Sequence, residues 1–131
     1  MRAFVTYCSA AKDKSAVELP AISRYRSERI RYVHEAAKAK GAKLLILSGA
    51  YGLLAPEDPI PYYDHLLAPH EVATLSQKAA MQLREQGIST LDFYMVDVSQ
   101  DGHVKAYLDC MTAAAEQAGV THQVILVDFD D

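Results

Sequence analysis

Three segments with helical spacing of apolar residues each stop at a glycine, and this repetition constrains the fold of the chain more than any other feature. The glycines are Gly41, Gly87 and Gly119, and an apolar run typical of a strand follows each of them within a few residues. Glycine readily adopts the left-handed conformation in which many helices end. The pattern therefore predicts helices that lead through short turns into buried strands.

Strand and helix patterns alternate from one end of the chain to the other. Strands are predicted over residues 2–8, 43–48, 90–96 and 122–127, and helices over residues 22–40, 69–86 and 104–118. Such alternation is typical of right-handed crossover units that build one parallel sheet with helices on both faces. We expect a single α/β domain over residues 1–131, folded as a three-layer α/β/α sandwich with a four-stranded parallel sheet.

Composition narrows the class of protein. Hydrophobic residues make up 50% of the 131 residues and charged residues 23%, which is typical of one globular domain. The net charge of -4 argues against tight, nonspecific binding to duplex nucleic acid, which needs a broad basic surface. Cys8 and Cys110 fit neither a disulfide framework nor a zinc spacing, and no apolar run is long enough to span a bilayer. We expect a cytoplasmic protein without a metal, a cofactor or a membrane partner.

The stretch that follows the second predicted strand is the richest in polar and aromatic groups. It separates strand from helix by about 20 residues, whereas such loops usually have roughly 2 to 6. In parallel sheets the ligand crevice lies beyond the carboxyl ends of the strands, where this loop begins. Gly49 and Gly52 allow a ligand to approach the backbone closely, and Tyr51, Tyr62 and Tyr63 offer flat faces for stacking on a ring. Ser48 and the amides of the loop could bind the edge of such a ring.

Asp64 is the carboxylate in this loop best placed to orient a water molecule or to stabilise a cationic transition state. His65 and His70 could exchange a proton near neutral pH. Each of these residues also has a plainer interpretation: turn chemistry for the glycines and Asp64, loop packing for the tyrosines, and surface or capping positions for the histidines.

Cys8 ends the first predicted strand and Ser9 follows it, so both lie at the same edge of the predicted sheet. Cys8 is either a buried, unreactive thiol or a residue that lines the ligand crevice, since the segment lacks the arginine and glycines of a phosphatase loop. Basic residues nearby could hold a phosphate, with Lys12 and Arg26 as the candidates, or could form a solvated helix face. The remaining members of this basic set are Lys14, Arg24, Arg29 and Arg31.

Several short motifs carry a resemblance to a known family. They are Cys8-Ser9 with Lys12, Tyr25-Arg26-Ser27, the run from Ile46 to Pro56 (ILSGAYGLLAP), and Tyr63-Asp64. In these motifs the chain resembles the DUF6884 group of small bacterial and archaeal proteins. That group is similar to the uracil-DNA-glycosylase-like fold, which includes the peroxide-stress protein YaaA and domains of archaeosine synthase. The resemblance implies strand order two-one-three-four and a pocket of nucleobase or nucleoside size lined by Cys8, Ser48, Tyr51, Gly52, Tyr63 and Asp64.

The leading hypothesis is a nucleobase- or nucleoside-binding domain, in its catalytic form an N-glycosidic-bond hydrolase or transferase acting on a modified nucleoside or nucleic acid. Tyr51 and Tyr63 would stack on the base, and Asp64 would orient water or stabilise an oxocarbenium-like sugar. The alternative is a non-catalytic nucleotide-sensing or regulatory module that uses the same pocket. A deoxyribosyltransferase-like enzyme with Asp64, Asp97 or Asp128 as nucleophile ranks last. The sequence leaves the oligomeric state open.

Overall fold

The computed structural model describes residues 1–131 and places helices on both faces of one mostly parallel sheet. The main strands are β1 (Arg2–Tyr7), β3 (Lys43–Ser48), β4 (Gly52–Leu54), β6 (Thr90–Met95) and β7 (Thr121–Leu126). A separate two-stranded sheet pairs β2 (Leu19–Pro20) with β5 (Pro59–Ile60). The helices are α1 (Ala21–Arg24), α2 (Glu28–Lys40), α3 (Val72–Glu85) and α4 (Val104–Ala118), and a 3-10 turn over Pro69–Glu71 precedes α3. None of the helices combines the length and the hydrophobicity needed to cross a membrane.

The sheet has five strands in the order β4-β3-β1-β6-β7. β1 is parallel to β3 and β6, and β6 is parallel to β7. These four correspond to the four predicted strands and lie in the predicted order. The prediction of a four-stranded, wholly parallel sheet is wrong, because β4 adds a fifth, antiparallel edge strand beside β3.

β4 arises within the stretch that the sequence predicts to be a loop. The chain reverses direction between Ser48 and Gly52, and Gly52 has a φ of 74°, which favours glycine. The Gln82 side chain of α3 then holds β4, since it accepts from the Leu53 amide at 2.7 Å and donates to the Leu53 carbonyl at 3.1 Å. A three-residue strand is too short to show a periodicity, so the pattern gives no signal for it.

The first predicted helix is two helices. The chain is extended at Tyr25, where it forms an isolated bridge with Lys12, and this pairing ends α1. Ser27 then caps α2 by accepting a hydrogen bond from the Ile30 amide at 3.1 Å. The break fixes Tyr25 beside the loop that follows β1.

Two apolar cores lie on opposite faces of the sheet. Ala3, Val5 and Tyr7 of β1 pack into the core under α3 and α4, whereas Phe4 packs into the core under α2. This alternation is the period-two pattern of a strand covered on both faces. The chain passes from β1 through α2 to β3 on one side, and later through α3 to β6 on the other side of β1. The strand order therefore reverses at β1.

Candidate functional site

A cavity of about 340 Å³ lies at the carboxyl end of β1. One wall is the segment that leaves β1, from Cys8 to Lys12. The segment 64–66, after β5, also lines it, as do Asp101 and His103 just before α4 and Val104 and Tyr107 in α4. We call this cavity the strand-end cleft. Ligands of open α/β sheets bind at the point where the strand order reverses, so the cleft occupies the expected place for a ligand.

Arg29 of α2 forms a fully buried part of the cleft floor. Its guanidinium donates to the carbonyl oxygens of Tyr7 at 2.7 Å, Cys8 at 3.3 Å and Asp131 at 2.9 Å, and also to the Thr6 hydroxyl. It lies 3.6 Å from the centre of the Tyr7 ring. Burial lowers the pKa of Arg29, and the nearby phenol of Tyr7 opposes that shift. With its donors held by oxygens of the protein, Arg29 fixes the end of β1.

Arg24 has a comparable structural role away from the cleft. It is fully buried, and its guanidinium donates to the carbonyl oxygens of Asp13, Ser15, Val17 and Ile60. For Arg24 and Arg29 the solvated-face interpretation is therefore wrong, and oxygens of the protein hold most of the donors that a phosphate would need. A guanidinium can saturate several carbonyl oxygens at once, which allows it to be buried without a carboxylate partner.

Ser48 and three tyrosines form a second polar centre beside the cleft, which we call the tyrosine cluster (Tyr25, Tyr51 and Tyr63 with Ser48). The Tyr63 hydroxyl is hydrogen-bonded to Ser48 Oγ at 2.7 Å and to the Tyr25 hydroxyl. Ser48 Oγ also accepts from the backbone amides of residues 50 and 51. Tyr51 packs edge-on against Tyr63, with ring centres 5.1 Å apart. Burial is the main cause that raises the pKa of Tyr25 and of Tyr63.

Lys12 connects the tyrosine cluster to the strand-end cleft. The residue lines the cleft, and its Nζ lies 4.9 Å from the centre of the Tyr63 ring and 5.8 Å from that of Tyr25. A cation over an aromatic face is stabilised by the ring quadrupole. The backbone bridge between Lys12 and Tyr25 fixes where this side chain begins.

Cys8 lines the cleft on the side of α4. Its half-buried thiol donates to the Tyr107 hydroxyl at 3.5 Å, and that hydroxyl also accepts from the Leu67 amide at 3.1 Å. Burial is the main cause that raises the pKa of Tyr107. Tyr107 therefore joins β1, α4 and the segment before α3 at one point.

Asp64 is exposed at the rim of the cleft, and its carboxylate forms no hydrogen bond within the protein. The adjacent His65 is held by Glu71, with Nε2 2.9 Å from a Glu71 carboxylate oxygen. The pKa of Glu71 is lowered, first by the hydrogen bond from the Ala68 amide and then by His65. His65 is thus a residue that fastens the 64–66 segment to the start of α3, while His70 is exposed.

The structure brings some of the predicted site residues together and separates others. Six of them line the strand-end cleft: Cys8, Ser9, Lys12, Arg29, Asp64 and His65. Ser48, Tyr51 and Tyr63 belong to the tyrosine cluster. Arg26 lies apart from both, 3.5 Å from the Asp13 carboxylate.

The two predicted ligand-binding glycines are placed by packing of the protein itself. A Cβ at Gly49 would lie 3.0 Å from the His65 carbonyl oxygen, and a Cβ at Gly52 would lie 2.6 Å from the Gln82 side chain. Neither glycine lines the cleft. The closeness of Gly49 to the 64–66 segment keeps that segment near the end of β3.

Asp97 and Asp128 also lie outside the cleft lining. Asp97 accepts from the Ser99 amide and hydroxyl, which lowers its pKa and marks a local turn. Asp128 is exposed. Neither position favours a nucleophile that acts in the strand-end cleft.

Sequence reasoning missed Tyr107 and treated Arg29 only as one of several basic residues. Tyr107 belongs to the apolar stripe of α4, where an inward-facing tyrosine is indistinguishable from core. Asp101 and His103, which also line the cleft, precede α4 without a recognisable motif. No three His, Cys, Asp or Glu side chains lie together in a way that could hold a metal ion.

The fold and the cleft define the class of this protein: a small doubly wound α/β domain with a ligand-sized cavity where the strand order reverses. Within that class, the chain belongs to the family of unknown function DUF6884, whose model matches residues 5–128. No curated protein and no solved structure matches it.

Proposed function

We propose that the strand-end cleft binds a nucleobase or nucleoside, and that the protein is in its catalytic form an N-glycosidic-bond hydrolase or transferase acting on a modified nucleoside or nucleic acid. The observation that carries this proposal is the position of the cleft at the end of β1, where the strand order reverses. The likeness of the sequence motifs to the uracil-DNA-glycosylase-like fold is part of the same proposal.

The size and lining of the cleft suit a ligand of this kind. Its volume of about 340 Å³ is at the small end of the roughly 300 to 1,000 Å³ found for small-molecule sites. The lining combines apolar surface from Ala10, Ala11 and Leu66 with polar groups from Cys8, Ser9 and Lys12. A planar heterocycle with a polar edge needs such a combination.

Asp64 is the group proposed to act on the glycosidic bond. An exposed carboxylate at the rim can hold a water molecule or face the sugar of a nucleoside whose base occupies the cleft. Tyr51 and Tyr63 have a changed role in the proposal, since their rings are edge-on to each other and Tyr63 is engaged through its hydroxyl. In the proposal Tyr63 supports the cleft wall through Lys12, Tyr51 packs against Tyr63, and neither ring stacks on the base.

One observation favours the non-catalytic alternative, a nucleotide-sensing or regulatory module. No neighbouring side chain or amide orients the Asp64 carboxylate, whereas catalytic carboxylates are commonly held by hydrogen bonds from the protein. The two functions differ only in whether a bound nucleoside is cleaved.

A ligand screen followed by product analysis tests the proposal. Nucleobases, nucleosides and nucleotides are screened for thermal stabilisation, which for a native-state ligand at 100 times its Kd is about 2.7 kcal/mol, on the order of 10 °C for a domain of this size. Each ligand that binds is then incubated with the protein and analysed by chromatography for released base. Stabilisation by none of these compounds would refute both functions.

The variant Asp64→Asn separates the two functions, and Glu57→Gln, an exposed carboxylate away from the cleft, is the matched control. If the protein is an enzyme, Asp64→Asn abolishes release of base and keeps binding, while Glu57→Gln leaves both unchanged. Binding without release of base by the unchanged protein identifies the sensing module. Release of base by Asp64→Asn at the unchanged rate excludes Asp64 as the catalytic group.

A further inference from the structure

β7 is an edge strand that the rest of the fold leaves unprotected. It has 6 residues and pairs with β6 on one side only, in a continuous register without a bulge. Its sequence, THQVIL, contains no lysine, carboxylate or proline, which are residues that commonly block an edge strand. A strand edge with free backbone groups is a template on which another strand can pair.

The opposite edge of the sheet is protected in two ways. The edge strand there, β4, has only 3 residues, all of them buried. The side chain of Gln82 also binds both the amide and the carbonyl oxygen of Leu53, so it occupies the position of a neighbouring strand. No side chain does the same for β7. The fold therefore blocks one edge of the sheet and leaves the other open.

The free backbone groups of β7 belong to alternate residues. The amides of Thr121, at the start of the strand, and of Val127, just after it, both donate to carbonyl oxygens on the side of β6. Backbone groups alternate in direction along a strand, so those of the even-numbered residues point away from β6. The outward residues of β7 are His122, Val124 and Leu126.

Apolar side chains are exposed along the same edge. Ile125 packs into the core under α2, so its neighbours Val124 and Leu126 lie on the α4 face of the sheet. They are 43% and 58% exposed. Half-buried Leu108 of α4 borders them, because it lies about two and a half helical turns from Gln117, the residue that is hydrogen-bonded to α3. A strand that pairs with β7 would cover this apolar strip.

The charge of the edge favours a second copy of the chain as its partner. Each copy has a net charge of -4, so copies repel one another at most of their surface, whereas His122 is the only titratable residue of β7. In an antiparallel pair, the Asp128 carboxylate that follows β7 approaches His122 of the second copy rather than another carboxylate. The edge is therefore a place where two copies can meet without like charges.

One antiparallel register uses every outward residue of both copies. With a two-fold axis at Val124, that residue lies opposite its own copy, and His122 lies opposite Leu126 in both directions. Residues that face each other in this way exchange both of their backbone hydrogen bonds. A register shifted by two residues leaves an outward residue of each β7 without a partner in the other. The strand is thus complementary to itself.

We propose that β7 is a dimerisation edge, along which two copies of the chain join antiparallel about Val124 into one continuous sheet. A two-fold contact of this kind is closed and leaves neither β7 edge free. Two short strands cover less than the about 1,000 Å² of a typical stable interface, so the dimer is weak and reversible. It forms whether or not the strand-end cleft binds a nucleoside.

Sedimentation velocity of the unchanged protein, from micromolar to millimolar concentration, tests for the dimer. The variant Val124→Lys should weaken dimerisation roughly 10-fold or more, because it places two like charges directly opposite each other. Val17→Lys is the matched control: the same change at a residue that is 62% exposed and lies outside the strands should leave dimerisation unchanged. Circular dichroism checks that both variants keep the fold.

A mixture of two variants tests the register. Val124→Lys and Val124→Glu should each be largely monomeric, and an equimolar mixture should form a heterodimer, since opposite charges then face each other across the axis. Unchanged protein that stays monomeric at millimolar concentration overturns the inference. So does a Val124→Lys variant that dimerises as well as Val17→Lys, a mixture that stays monomeric, or assembly of the unchanged protein beyond a dimer.

Discussion

The hydroxyl group of Tyr63 should be worth far more to the stability of the fold than a surface hydroxyl. It is hydrogen-bonded both to Ser48, which is fully buried at the end of β3, and to Tyr25, which is 3% exposed between α1 and α2. Replacing Tyr63 by Phe removes both hydrogen bonds and leaves two buried hydroxyl groups without that partner.

The expected loss of stability comes from the hydroxyl groups of Ser48 and Tyr25, which lose their hydrogen bonds to Tyr63. A buried polar group that loses its partner costs about 1 to 3 kcal/mol. Tyr63 itself is half-buried, so water can reach part of the space that its hydroxyl leaves, and the sum falls toward its lower end. We expect Tyr63→Phe to lower the free energy of unfolding by about 2 to 4 kcal/mol, a large part of the roughly 5 to 15 kcal/mol typical of a domain.

Urea unfolding followed by circular dichroism measures this change as a lower midpoint at an unchanged m-value. Tyr62→Phe is the matched control: it is the same chemical change at the adjacent residue, whose ring is 41% exposed and whose hydroxyl forms no hydrogen bond. The control should change stability by less than about 0.5 kcal/mol. A Tyr63→Phe variant as stable as Tyr62→Phe would refute the reasoning.

A double-mutant cycle tests whether part of this loss of stability comes from the hydrogen bond between Tyr25 and Tyr63. In Tyr25→Phe/Tyr63→Phe the stranded phenol of Tyr25 is gone, so the double variant should be about 1 kcal/mol more stable than the sum of the two single effects. Strict additivity would mean that the two hydroxyls do not interact.

Three further predictions concern the backbone, the buried tyrosines and the thiols. Gly52→Ala should lower the free energy of unfolding by roughly 1 to 2 kcal/mol from the positive φ alone, and by more because the new Cβ meets Gln82. Gly87→Ala, with a φ of 68° and open space around the Cβ, should show the backbone cost only. Equal urea midpoints for the two variants would contradict the contact with Gln82. Burial raises the pKa values of five tyrosines, so the folded protein keeps phenolic protons that the unfolded chain loses above pH about 10: Tyr7, Tyr25, Tyr63, Tyr94 and Tyr107. Their contribution to stability is constant below this pH and should fall above it by up to about 1.4 kcal/mol per pH unit for each group. A free energy of unfolding that does not fall through that range would contradict the burial of these phenols. Burial raises the pKa of Cys110 to about 12. At neutral pH iodoacetamide should therefore label only the half-buried Cys8 in the native protein and both thiols after denaturation, which mass spectrometry measures. Labelling of Cys110 in the native protein at the rate of Cys8 would refute this prediction.

Much of the fold could be predicted from local patterns. The four parallel strands and the glycine-terminated helices follow from apolar periodicity and from backbone preferences that act within a few residues. Gly41, Gly87 and Gly119 do have positive φ angles at the ends of α2, α3 and α4. The errors, β4 and the break before α2, fall where a contact distant in sequence decides the local structure: Gln82 holds β4, and Lys12 pairs with Tyr25.

The candidate site, like the fold, could be predicted only in part from local patterns in the sequence. The sequence by itself determined which residues follow the carboxyl ends of the strands, and thus that Cys8, Ser9, Lys12 and Asp64 belong to one edge of the sheet. Only the tertiary structure decided that Tyr63 bonds to Tyr25 and Ser48, that Arg29 is buried under β1, and that Tyr107 meets Cys8. The physical reason is range: helix and strand periodicity is set by neighbours along the chain, whereas each of these contacts exists only after strand order has brought distant segments together.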